Sequence, residues 1–136
     1  MKKFILDCSV AIAWCFEDET TIYTESVLNS LKEAAAIVPK LWYIEVANVL
    51  LMAQKRKRIN DNGIFHFLSL LEKLPIASNT DNISIVDLIM LSQRYQLTSY
   101  DGCYLNLCLQ HNLPLATLDK KLITAVETAG GKIYQP

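Results

Sequence analysis

Glycine and proline are scarce, four of each in 136 residues. Few positions invite a sharp turn or a broken helix, so long helices are expected. No apolar run reaches the roughly 18–20 residues needed to cross a bilayer, because charges or turns interrupt each one. The opening MKKFILDCSVAIAWCFEDE has the two lysines and apolar stretch of a signal peptide. Asp7 breaks that stretch before it reaches Glu17, Asp18 and Glu19. It reads as a first β-strand in a cytoplasmic protein. A surplus of one charge is missing too: 13 Lys and Arg face 14 Asp and Glu, a net charge of -1. This excludes a broadly basic nucleic-acid binder but not a local basic patch. Cys8, Cys15, Cys103 and Cys108 form no C-x-x-C pair, and the one close Cys–His spacing, Cys108 to His111, has no second pair beside it. Zinc sites use tighter paired spacing, so reduced and mostly buried thiols are expected.

What is plentiful is apolar side chain, 51% hydrophobic against 20% charged, which supplies a core and argues against disorder. No linker, repeat or low-complexity segment stands out, so one domain over residues 1–136 is expected. Lys3–Leu6 reads as a buried strand, followed by a helix that Ser9 could cap. Thr20 or Thr21 starts a second helix, and Ala36-Ile37-Val38 is a strand stopped by Pro39. Leu41 to about Lys57 is helical and apolar around most of its circumference, as for a helix buried on several sides. Asn60 or Asp61 caps the next helix, which runs towards Pro75, and Pro75–Ser78 holds a short strand. Thr80 caps a helix to about Tyr95, and another runs from near Asp101 to His111-Asn112. Leu115–Thr117 is a strand, Lys120–Ala129 a helix stopped by Gly130-Gly131, and Lys132–Tyr134 a last strand. Short apolar strands alternating with helices imply a helix-rich α/β fold with a largely parallel sheet. Such sheets bind ligands beyond their carboxyl ends, where strand order reverses.

Four acids stand out against this frame. Asp7 and Asp119 follow strands in FILD and LATLD, Asp101 sits at a helix start in TSYDGCYL, and Glu45 interrupts the most apolar helix in LWYIEVANVL. Singly, Asp101 reads as an N-cap, Asp119 as a turn residue and Glu45 as a surface residue near a helix start. Together they suggest a cleft of carboxylates, which repel one another and take up protons unless a cation joins them. Hard oxygen ligands suit Mg²⁺ or Mn²⁺. Such an ion activates water and stabilises charge on a phosphodiester.

The chain resembles the PIN-domain ribonucleases, most closely the toxins of VapBC toxin–antitoxin pairs. The resemblance lies in FILDCSV, in PKLWYIEVANVL with its P-x-L-x-x-E, and in TSYDGCYLNLCLQHNLPLATLD with Y-D-x-x-Y-L and then T-x-D. It implies a three-layer α/β/α domain with a central sheet of about four or five short strands. It also implies a Mg²⁺-dependent endoribonuclease, with Mn²⁺ as a possible substitute. Asp7, Glu45, Asp101 and Asp119 would be its catalytic, metal-binding acids, supported by Ser9, Asn48 and Thr117. Asn48, one turn after Glu45, would orient it or serve helix packing. Gly102-Cys103 falls where small residues are common in the family. The implied partners are RNA, a cognate antitoxin held in a groove partly lined by the Leu41–Met52 helix and the helix after Asn60, and a second copy in a homodimer, with no membrane.

Setting the four acids aside leaves 10 acidic against 13 basic residues. Lys55, Arg56, Lys57 and Arg58 form the densest basic run. They read either as a solvated helix end or as contacts to RNA phosphate or an acidic partner segment. Lys120 and Lys121 could also meet phosphate. Tyr23, Tyr100 and Tyr104 could stack on bases, with core packing the safer reading. Other classes remain open: a PIN nuclease of RNA processing without an antitoxin, a phosphatase-like or receiver-like phosphoryl-transfer protein, or an inactive binding module. A haloacid-dehalogenase-like phosphatase wants a second Asp two places after the first, where this chain has Ser9. A receiver's paired acids after the first strand are not evident.

Overall fold

The structure is a computed structural model that describes all 136 residues, Met1–Pro136. In chain order the elements are β1 Lys2–Leu6, α1 Cys8–Ala13, α2 Ile22–Ser30, β2 Ala34–Val38, α3 Leu41–Lys55, α4 Asp61–Glu72, β3 Ile76–Ser78, α5 Ile85–Arg94, α6 Ser99–His111, β4 Leu115–Ala116 and α7 Lys120–Thr128. The strands form one parallel sheet in the order β3-β2-β1-β4. Central β1 pairs Ile5 with Ile37 on one side and Leu115 on the other. Phe4, Ile5 and Leu6 are wholly buried, as expected of a strand covered on both faces. The chain steps outward from β1 to β2 to β3, then returns to lay β4 on the far side of β1. Right-handed crossovers then put α1–α4 on one face and α5 and α6 on the other. The packing agrees: α1 meets α2 and α3, whereas α6 meets α5 and α7. Strand order reverses between β1 and β4, so the carboxyl ends of these two strands flank the crevice.

Local chemistry explains most boundaries and corrects several expectations. Thr21 and Thr24 form a capping box at α2, and Asn60 caps α4 through Gly63 N–H. Ser9 does not cap α1; Asp7 holds the N-cap position, and the Ser9 hydroxyl donates to the Asp7 carboxylate. The fifth helix is capped by Ser84 rather than Thr80. Thr80 lies in a segment tied down by Asp81, which accepts from His111 at 2.8 Å and whose N–H donates to Asn79 Oδ1. The sixth helix begins at Ser99 under a Thr98 cap, which places Asp101 in its first turn. The last segment is not a strand but a single parallel bridge, Ile133 to Leu115, held by Tyr134 stacking on Phe4 at 3.9 Å.

The shortage of glycine does not give long helices; they run from 6 to 15 residues. Instead Lys57, Gln96 and Asn112 take left-handed φ angles of 59°, 56° and 51° after helices where glycine is usual. The turns close by Arg58 N–H donating to the Ala53 carbonyl and Leu97 N–H to that of Ser92. Glycine is needed at Gly102, where an added Cβ would collide with Ser92 Oγ as α6 crosses α5. The Ser92 hydroxyl is buried without a hydrogen-bond partner. Ser92→Ala should therefore raise unfolding free energy by roughly 0.5–1 kcal/mol, since an unpaired buried hydroxyl is lost and a better helix former gained. Chemical denaturation checks this, and a clear loss of stability would contradict it.

Candidate active site

Asp7 extends β1 by one rung, its N–H donating to the Ala116 carbonyl at 3.0 Å. Its carboxylate is nearly buried, and Oδ2 accepts from Ser9 Oγ and Thr117 Oγ1, each at 2.7 Å. Both hydroxyls also accept from the turn after β4: Ser9 from Leu118 N–H and Thr117 from Asp119 N–H. Each hydroxyl proton therefore points at Asp7, and the two strand-end turns are locked together through it. Asp119 caps α7, one carboxylate oxygen accepting from Lys121 and Leu122 N–H.

The other two acids arrive on helices. Glu45 lies in the second turn of α3, half-buried, with Oε1 accepting from Tyr104 hydroxyl at 2.6 Å. Tyr104 is wholly buried on α6, one turn after Asp101. Burial raises the Asp7 carboxyl, the Ser9 and Thr117 bonds oppose this, and the Asp119 charge adds to it. Burial raises Glu45 as well, Tyr104 opposes it, and Asp7 and Asp101 push further upward. Asp101 is raised to about 6 by burial and then by the charges of Asp119 and Asp7, eased by Thr98 and Lys121. The four carboxylates thus share one electrostatic field at the crevice between β1 and β4.

The remaining candidates divide. Ser9 and Thr117 both bind Asp7. Asn48 is exposed and makes no hydrogen bond to Glu45; Tyr104 takes that part. Its available sequence signal was the spacing of three from Asp101, which places both on one helix flank. Of the basic run, Arg58 is committed to Asp18 at 2.9 Å and Glu19 at 3.1 Å, and lies over the Phe16 ring. Lys55, Arg56 and Lys57 are exposed at the end of α3, and Lys120 and Lys121 are exposed at the start of α7. Tyr23 donates to the Tyr134 carbonyl, whereas Tyr100 is 62% exposed. All four cysteines are free, and burial pushes Cys8 up to about 12 with help from Glu45 and Asp7.

A family model for the PIN domain matches residues 4–127. The chain belongs to the PIN domain family. A PIN domain implies a nuclease; PIN nucleases act on nucleic acid and generally use divalent metals. The crystal structure of PAE2754 from Pyrobaculum aerophilum shares the fold, with a TM-score of 0.71, 17% identity, and coverage of 97% of this chain and 83% of that one. A comparison with curated proteins found no match. No helix of this PIN chain is long and apolar enough to cross a membrane.

The donor set fits a divalent cation. All four donors are carboxylates, and those raised by burial and by one another have Lys121, acting on Asp101, as their one opposing charge. No trio of His, Cys, Asp or Glu is gathered into a ready cage. The fit is therefore one of donor type, hard oxygens without nitrogen or sulfur, and not of a preformed cage. In the metal-free protein, raised carboxyls make stability fall as pH rises. Between 3.8 and about 6 the unfolded chain ionises Asp101 while the fold still holds its proton. Asp101→Asn should therefore stabilise the metal-free protein more at pH 7 than at pH 4.5. Denaturant melts in chelator at the two pH values check this, and an equal effect at both would contradict it.

Proposed function

We propose that this PIN chain is a Mg²⁺-dependent endoribonuclease, with Mn²⁺ able to substitute, and that it acts as the toxin of a type II toxin–antitoxin pair. The observation that carries the nuclease reading is the set of four carboxylates in one field at the switch point. Asp7, Glu45, Asp101 and Asp119 would hold the cation. When bound, it supplies Lewis-acid stabilisation of the phosphodiester and lowers the pKa of water. The chain's own groups do the positioning. Ser9 and Thr117 fix one oxygen of Asp7, the α7 backbone fixes one oxygen of Asp119, and Tyr104 fixes one oxygen of Glu45. These bonds hold each carboxylate in one orientation towards the crevice where the cation would sit.

Water is the nucleophile in this reading. 2′-OH attack would call for acid–base groups such as a histidine pair. His111 is engaged with Asp81 instead, and His66 stands on α4. Products should carry 5′-phosphate and 3′-hydroxyl ends. The toxin assignment rests on the resemblance and on an apolar groove of about 540 Å³ between α3, α4 and β3, lined by Trp42, Val46, Leu50, Ile64, Leu68 and Leu71. That groove suits an antitoxin segment. Ile85, Val86, Ile89 and Met90, all exposed on α5, offer a surface for a homodimer. Co-purification with the product of an adjacent small gene tests the pairing, and its absence would remove the toxin role while leaving the nuclease.

Asp7→Asn or Asp101→Asn should reduce RNA cleavage at least about 1,000-fold with the fold retained, since charge stabilisation at the phosphoryl group is lost. Chelator should stop wild-type cleavage, and Mg²⁺ or Mn²⁺ should restore it. Full activity in excess chelator, or 2′,3′-cyclic phosphate products, would contradict the mechanism. Tyr104→Phe should weaken metal affinity or activity about 10–100-fold by releasing Glu45. Activity measured against Mg²⁺ concentration should show a higher half-saturation point, and an unchanged curve would assign Tyr104 to packing alone.

A further inference from the structure

The densest basic run in the sequence is partly neutralised, because Arg58 is paired with Asp18 and Glu19. Arg94, which no sequence signal picks out, joins Lys120 and Lys121; the three form no ion pair and line one groove of about 470 Å³ with Gln96, Thr124 and Thr128. No carboxylate lines it. The groove lies between the end of α5 and the length of α7, Lys120 to Thr128, and its Lys120–Lys121 end adjoins the acids. Asp119 caps the helix that carries both lysines, and the Lys121 charge reaches the Asp101 carboxyl. Arg94 lies 5.5 Å over the Tyr95 ring, which restrains its guanidinium. Gln96 occupies the left-handed position that glycine fills most easily, so an amide side chain stands at the groove where none was needed to end the helix.

A cleft of one sign beside a site of the other suits a polyanion whose scissile phosphate sits among the acids and whose neighbouring phosphates do not. We propose that this groove binds the backbone of the RNA strand on one side of the cleaved phosphate, with Arg94, Lys120 and Lys121 each neutralising phosphate charge. This rests on the nuclease reading and adds where the substrate runs.

The test is binding of a labelled single-stranded RNA to the Asp101→Asn protein in Mg²⁺, by fluorescence anisotropy over a range of NaCl concentrations. The triple substitution Arg94→Gln, Lys120→Gln, Lys121→Gln is compared with Lys55→Gln, Arg56→Gln, Lys57→Gln. Loss of three phosphate contacts should flatten the slope of log affinity against log salt by about 2. The α3 triple should change it by less than half as much, and Arg94→Lys should keep most of the slope that Arg94→Gln loses. Circular dichroism and melting of each variant exclude loss of fold. Equal slopes for the groove triple and its parent overturn the groove. A wild-type protein that neither binds nor cleaves RNA would instead overturn the nuclease reading itself.

Discussion

Repulsion among four carboxylates is the constraint around which the functional end of this molecule is built. Asp7 sits at the end of the most buried strand, where a lone charge is costly, and its neighbours are further acids rather than cations. Two hydroxyls offset part of the cost. Each donates to Asp7 while accepting a backbone N–H from residues 118–119, so the groups that ease the burial also fix the spacing of the β1 and β4 turns. Loss of either hydroxyl would loosen both the carboxylate and the turn that carries Asp119.

The topology makes this crowding possible. Because β4 returns beside β1 after the chain has moved outward through β2 and β3, acids 112 positions apart in sequence flank one crevice. The two helices that bring Glu45 and Asp101 are joined by Tyr104, whose buried hydroxyl spans from α6 to α3. In turn α6 is seated by its close crossing with α5 at Gly102 and Ser92. The packing beside Asp101 therefore sets where it stands, and the family's nuclease chemistry depends on a helix crossing as well as on charged groups.

Much of this was legible in the sequence for identifiable reasons. Strand-end acids at 7 and 119, and an acid in an apolar helix at 45, are local signals that burial makes expensive, so they could be singled out one by one. Caps were legible to within one residue at Thr20 or Thr21 and at Asn60 or Asp61, of which the fold uses Thr21 and Asn60. Of Thr80 and Ser84 the fold uses Ser84, and the segment before it is tied through Asp81 to His111, 30 residues away. The link from Tyr104 to Glu45 spans 59 positions and the pairing of Arg58 with Asp18 spans 40, distances at which periodicity is silent. For the same reason the charged run at 55–58 and the lysines at 120–121 were legible, while Arg94, brought beside the two lysines only by the fold, was not.

The central claim is that the four acids share one field that a divalent cation relieves. It is tested most directly by titrating the side-chain carboxyl of Asp101 by carbon NMR, first in chelator and then in saturating Mg²⁺. The account predicts a midpoint of about 6 without metal, and a fall into or below the ordinary carboxylate range once the ion is bound. An Asp101 midpoint that is ordinary in chelator, or unmoved by Mg²⁺, would contradict it.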